Sequence, residues 1–269
     1  MTSLPGPEFE ALIRPHVGDP LRLHPVGRGH TSDVAAMAHG AHGSFFVKAV
    51  RNRPGGRRDS LVREGQINPY VRPISPAVRW RAESEDWVVL GFEAIDGRPA
   101  DFTPGSPDLP RIVGILNRIA AVPLPEIARD WVETRWDRYV TDPSKVELLR
   151  GDALLYTDIQ PDNLLIGADG AWAVDWAWPT RGAAFIDPAC LVVQLVAAGH
   201  TPGSAEAWAS RCVAWASADP RAVDAFAAAM FALYGDLAAR NPDAGWLKAM
   251  AAAAEGWVVH RGFACSSGH

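Results

Sequence analysis

Residues 154–179 read LLYTDIQPDNLLIGADGAWAVDWAWP, and how they are read decides the fold. The apolar runs LLY, NLLIG and AWAV are too short for helices and are punctuated by Pro161 and by Asp169-Gly170, so they read as short strands joined by turns. Asp158, Asn163 and Asp175 stand at the borders of those runs, where a carboxylate beside apolar chain needs a partner. Pro161 forces a turn that lets Asp158 and Asn163 converge across one loop. An aspartate placed there can take a proton from a hydroxyl, and an amide oxygen five residues on can ligate a hard cation. Asp175, expected to end the strand AWAVD, can ligate the same Mg²⁺. Singly, each is also an ordinary turn or capping residue; their joint spacing points to chemistry.

On the C-terminal side the chain turns alanine-rich and helical, through DPACLVVQLVAAG, GSAEAWASRCVAWAS, PRAVDAFAAAMFALYGDLAAR and GWLKAMAAAAEGWVVHRG. Immediately upstream, DLPRIVGILNRIAAV has helical spacing, and DWVETRWDRYVT is a second helical candidate. Further back lie the extended segments AVRWRAES and DWVVLGFEAI, joined by a polar turn near Glu85. DSLVREGQINPYV reads as a helix up to Pro69, with Asp59 or Ser60 as its N-cap. LRLHPVGRGHTSDVAAMAHGAHGSFFVKAVR reads as strands around glycine-bearing turns, and EFEALIRPH as a short helix ended by Gly18. The order is α+β: residues 1–92 as a small antiparallel sheet carrying a helix, then 93–269 as a larger, mainly helical lobe.

Composition sets outer bounds. At 269 residues and 48% hydrophobic content, the chain can bury a sizeable core. A net charge of −5 gives no general attraction to nucleic acid. The balance is uneven: residues 1–92 carry 12 Lys/Arg against 9 Asp/Glu, and residues 93–269 carry 14 against 22. The first part suits a polyanion and the second a cation, although solvated surface charge accounts for many of these groups. Three scattered cysteines suit a reducing compartment rather than a disulfide framework. No signal peptide is legible, and no apolar run approaches the length needed to span a bilayer, Gly235 and Asp236 interrupting even AFAAAMFALYGDLAAR, so the expectation is a cytoplasmic protein without membrane or nucleic-acid partners.

Asp158-Ile-Gln-Pro-Asp-Asn163 followed by Val174-Asp175-Trp176 resembles the catalytic and metal loops of the aminoglycoside phosphotransferase family, within the protein-kinase-like superfamily. That resemblance implies a two-lobe fold, ATP or GTP as phosphoryl donor, Mg²⁺ held by Asn163 and Asp175, and Asp158 as the catalytic aspartate. It also implies a nucleotide clamp upstream. Val47-Lys48-Ala49-Val50 lies on an apolar strand, where the lysine either snorkels to solvent or reaches inward to phosphates. Glu64 corresponds to the family's pairing glutamate. Gly27-Arg-Gly29-His-Thr31-Ser32-Asp33 resembles the phosphate loop, with Gly29, Thr31 and Ser32 offering N–H or hydroxyl groups, though a hairpin turn uses the same residues. Backbone groups of Phe92, Glu93 and Ala94 would read the adenine edge.

The chain departs from the family pattern in three places. Tyr156-Thr157-Asp158 replaces the common His-Gly-Asp, with Tyr156 expected to brace the loop. Asp187-Pro188-Ala189-Cys190-Leu191 lacks the second acid of the family's run, so Asp187 either braces the catalytic loop or caps its helix. Asp33 stands where relatives often have Asn, an unfavourable neighbour for phosphates unless it faces away. The acceptor implied is an antibiotic-like natural product such as an aminoglycoside, with a small metabolite (amino alcohol, amino acid or sugar) or a pseudokinase as alternatives. Asp130, Glu133, Asp137, Trp176, Trp178, Asp236 and Glu255 are candidates for its pocket wall. Asp130 and Glu133 are either partners for an ammonium or a solvated helix face, and the acidic second part tilts the expectation toward a cationic acceptor.

Overall fold

Period-two alternation along the strands explains why the first part of the chain is covered on both faces. The computed structural model describes residues 6–26 and 32–262. Its first compact unit takes the chain to Gly97 together with Val174–Trp178. Strands β1 (Arg22–Pro25), β2 (Val34–Gly40), β3 (Gly43–Arg51), β4 (Val78–Glu83) and β5 (Trp87–Glu93) form one antiparallel sheet in the order β1-β2-β3-β5-β4. Val47, Ala49 and Val89 point to the face covered by helix α1 (Pro7–Val17), packing with Phe9, Ile13 and Val17. Val50, Val88, Leu90 and Phe92 point to the other face, where Leu61 of helix α2 (Gly56–Val71) covers them. Lys48 shares this parity. An apolar β5 reading WVVLGF follows from burial on both faces. Gly91 is the exception that packing needs, since a Cβ there would lie 2.0 Å from the Trp80 ring.

Two boundaries differ from the sequence expectation. α1 does end at Gly18, whose φ of 80° suits glycine. By contrast, α2 begins before Asp59 and runs through Pro69 to Val71. Proline's fixed φ suits a helix, and its missing N–H forgoes a single intrahelical bond, the one residue 69 would make to Gly65 O.

The second unit comprises Arg98–Ala173 and the chain from Pro179 onward. Strands β6 (Arg98–Pro99), β8 (Leu164–Ile166) and β9 (Ala171–Ala173) form one small antiparallel sheet, and β7 (Ala153–Leu155) pairs with β10 (Thr180–Gly182). Around them lie helices α3 (Leu109–Ala120), α4 (Ile186–Ala197), α5 (Pro202–Ala209), α6 (Val213–Ala216), α7 (Pro220–Arg240) and α8 (Gly245–His260). Proline at the first helical position, with Thr201 or Asp219 as the capping acceptor, starts α5 and α7. The helix expected through GSAEAWASRCVAWAS breaks into α5 and α6, where Asn117 of α3 accepts from Val213 N at 2.8 Å.

Asp175 lies past the strand it was expected to end, because β9 stops at Ala173. The segment 131–140 is not the expected helix: Val132 bridges to Arg181, and a short 3-10 turn covers Asp137–Tyr139. α7 forms through Gly235 and Asp236 as its helical pattern implies, for 21 residues. Against the expectation that no run approaches membrane-spanning length, it is long and apolar enough to cross a bilayer by length and composition, although Phe226, Met230 and Leu233 on it are buried within the unit.

Candidate active site

In the first unit, strand parity delivers Lys48 to the face that α2 covers, and Glu64 meets it there. Lys48 Nζ lies 3.0 and 3.1 Å from the two Glu64 oxygens and 2.9 Å from Asp175 Oδ1. Lys48 and Glu64 are 8% and 4% exposed, so the snorkelling alternative does not apply. Burial pulls the Lys48 pKa down, but the carboxylates of Glu64 and Asp175 outweigh it and hold the ammonium above its usual range. Burial also pushes the Glu64 carboxyl up, against the pull of Lys48. Trp176 N donates to Glu64 Oε1 at 3.2 Å, tying the residue after Asp175 to the same carboxylate. Asp175 has a φ of 60°, an uncommon value for a side chain of this kind.

Gly29 and Thr31 lie outside the described residues. Ser32 is described, and its hydroxyl is buried with no hydrogen-bond partner among the described residues. Asp33 is turned to its own strand neighbourhood: it accepts from Arg51 N at 2.8 Å and from Arg57 at 2.7 Å. Phe92 is paired with Phe46 and Val78 inside the sheet, and Ala94 follows the strand end. Glu93 N is engaged by Ala77 O at 2.8 Å, so this donor already has an acceptor.

In the second unit, β7 leads into a loop that bends at Thr157, whose φ is 62°. Asp158 follows with an exposed side chain. Asn163 Nδ2 donates to Asp158 Oδ2 at 2.7 Å and Gln160 Nε2 to Oδ1 at 3.1 Å, so the turn at Pro161 does bring the two sequence-selected residues together. Gln160 was not singled out by sequence.

The open choice for Asp187 resolves in favour of bracing. Its two oxygens accept from Tyr156 N at 3.0 Å and Thr157 N at 2.8 Å. Burial raises its pKa to about 6, partly countered by those two N–H groups. Tyr156 is buried at 2% exposure, and its hydroxyl is 3.5 Å from Asn163 O.

Of the acceptor-wall candidates, Glu133 faces inward: at 3% exposure it accepts from Arg135 N at 2.7 Å and Thr180 Oγ1 at 2.8 Å. Asp137 pairs with Arg150, and Asp236 accepts from Tyr139 at 2.6 Å and pairs with Arg240 at 2.9 Å. Asp130 and Glu255 are exposed. In the first unit, Trp176 is buried, while Trp178 is exposed with the Arg63 guanidinium 5.2 Å from its ring centre. Sequence reasoning missed Arg135, which donates to Thr157 Oγ1 at 3.2 Å in the loop that carries Asp158; a lone arginine in an expected helix gave no signal.

The donor chemistry suits Mg²⁺. Asp175 Oδ1 is buried with the Lys48 ammonium 2.9 Å away as its charge partner, and no other described group donates to it. Asn163 commits its amide nitrogen to Asp158, which leaves its carbonyl oxygen for a hard cation. Among the described residues, no group of three His, Cys, Asp or Glu side chains forms a cage, and Mg²⁺ bound with phosphates needs none.

No family model matches this chain, and no curated protein sequence does. Solved structures match over nearly the whole length. Choline kinase LicA from Streptococcus pneumoniae superposes with a TM-score of 0.63 at 11% identity, covering 94% of this chain and 99% of that one. A thermostable aminoglycoside phosphotransferase solved with AMP-PNP and hygromycin B gives 0.62 at 14% identity, covering 97% and 100%. A microcompartment-associated aminopropanol kinase gives 0.56 at 14%, covering 94% and 96%. At such identities the likeness is one of fold: the chain has the two-lobe, protein-kinase-like fold of these phosphotransferases.

Proposed function

We propose that this chain is a small-molecule O-phosphotransferase of the aminoglycoside phosphotransferase type, moving the γ-phosphoryl group of ATP or GTP to an acceptor hydroxyl. The observation that carries the reading is the buried Lys48 ammonium held by Glu64 and Asp175, in a chain whose fold is that of known phosphotransferases. A lysine this buried, gripped from both sides, is a pre-positioned cation for phosphate oxygens. Residues 1–92 would clamp the nucleotide, with Ser32 and the neighbouring Gly29 and Thr31 at its phosphates and Phe92 and Ala94 near the base.

Asp158 is the proton acceptor in this reading. Asn163 and Gln160 fix its two oxygens, and the exposed carboxylate orients the acceptor hydroxyl. As the hydroxyl oxygen bonds to the γ-phosphorus, the bond to the β-phosphate oxygen breaks, the nucleoside diphosphate leaves and the hydroxyl proton passes to Asp158. Asn163 and Asp175 would hold Mg²⁺, which neutralises phosphate charge when bound. Asp187 and Tyr156 keep the loop in shape, which supports an active enzyme over a pseudokinase.

For the acceptor, we propose a hydroxyl-bearing natural product of antibiotic type. An amino alcohol is the second reading, supported by the likeness to the choline kinase, as high as that to the aminoglycoside phosphotransferase, and by that to the aminopropanol kinase. The test is incubation with Mg²⁺, ATP or GTP and a panel of hydroxylated antibiotics and amino alcohols, read by mass spectrometry. One phosphoryl group gained by a panel member supports the reading. Nucleotide binding without transfer to any member supports the pseudokinase instead.

A further inference from the structure

The conformation of Thr157 asks for an explanation that the proposed chemistry does not give. Its φ of 62° is left-handed, and a β-branched side chain disfavours that region strongly. Such an outlier persists only where its surroundings over-determine it. Two contacts do so. Asp187 Oδ1 accepts from Thr157 N at 2.8 Å, and Arg135 Nη2 donates to Thr157 Oγ1 at 3.2 Å.

The second contact is built from well-anchored parts. Glu133 is 3% exposed; its N–H is taken by Arg181 O at 2.8 Å and its carbonyl by Arg150 at 2.7 Å. One Glu133 oxygen holds Arg135 N at 2.7 Å, and the other accepts from Thr180 and lies 3.6 Å from the Arg135 guanidinium. That guanidinium also lies 5.0 Å from the Trp136 ring centre, a cation–π contact. The arginine is thus directed before it reaches the threonine. Its charge is felt by Asp187, Cys190 and Tyr234, and the last two also feel Asp158, which puts Arg135 in the electrostatic surroundings of the catalytic loop.

We propose that Arg135, anchored by Glu133, is a positioning residue: it grips the Thr157 hydroxyl, holds that residue in its left-handed conformation and thereby aims the Asp158 carboxylate. This inference rests on the phosphotransferase reading for its kinetic consequence but not for the brace itself.

The test is a rescue. Arg135→Gln should lower kcat roughly 10- to 100-fold and leave the nucleotide KM within about threefold, because the strained turn relaxes while nucleotide binding is untouched. Thr157→Val, which keeps the branch and loses the hydroxyl, should act alike. Adding Thr157→Gly to Arg135→Gln should restore most of kcat, since glycine takes a positive φ without a brace. A loss of the same size with and without Thr157→Gly would mean that Arg135 acts directly, and the inference falls. Amide exchange at Thr157 and Asp158 provides an activity-independent arm: it should rise in Arg135→Gln and return in the double variant. Unchanged exchange in Arg135→Gln overturns the brace; the expected exchange pattern with no phosphoryl transfer by any variant or wild type sinks only the phosphotransferase reading.

Discussion

Asp187 sets burial against hydrogen bonding within one side chain. Two N–H donors favour its ionised form, yet burial prevails and its pKa rises from the ordinary 3.8 to about 6. The folded state therefore binds a proton more tightly than the unfolded chain, so this group's contribution to stability is greatest below pH 4 and declines as pH rises toward 6, then levels off. The decline amounts to about 3 kcal/mol. In urea titrations, the stability gap between wild type and Asp187→Asn should narrow by up to that amount from pH 4 to 6.5; a widening gap contradicts the assignment. Lys48 carries the opposite lesson. Removing its ammonium strands Glu64 and Asp175 as uncompensated carboxylates, so Lys48→Ala should cost about 3–5 kcal/mol of stability, and adding Glu64→Gln should recover part of it in the same titrations. At this scale the sequence was most legible where a residue's meaning was local. Asp158 and Asn163, five positions apart, meet because the turn at Pro161 folds the chain between them. Arg135 and Gln160 had no such local mark, and the choice for Asp187 depended on a partner 30 and 31 residues away.

Among the elements, strands were read best where alternation met turn signals, as in β2 to β5 with the hairpin turn between Gly40 and Gly43. The segment Trp131–Tyr139 failed for a physical reason. Helical spacing of its tryptophans outweighed nothing once Glu133 could be drawn inward by Thr180 and Arg181, and tertiary pairing with β10 replaced helix. The α5–α6 break likewise needed Asn117, nearly a hundred positions upstream. Packing elsewhere follows the amphipathic pattern closely enough to test. Ile13 on α1 is fully buried against the sheet, so Ile13→Ala should cost about 2–5 kcal/mol by urea unfolding. Val259 near the end of α8 is 51% exposed, and Val259→Ala should stay within about 0.5 kcal/mol. Equal costs at the two positions would mean that α1 does not cover the sheet as described.

For the whole molecule, the order of elements carried the fold. A β-rich first part followed by short strands and a run of alanine-rich helices is α+β by inspection, and solved phosphotransferases superpose on it over more than nine-tenths of its length. Acceptor chemistry was not legible, because the acids picked out for it are scattered, inward-facing or paired with arginine. The central claim is that Asp158 takes the acceptor's proton during phosphoryl transfer. Its most direct test is single-turnover transfer by wild type and Asp158→Asn, using an acceptor proven with the wild-type protein, alongside Mg²⁺-nucleotide binding measured calorimetrically. The account predicts a rate lowered about 10²- to 10⁴-fold with nucleotide affinity within about threefold of wild type. A rate near that of wild type would contradict it.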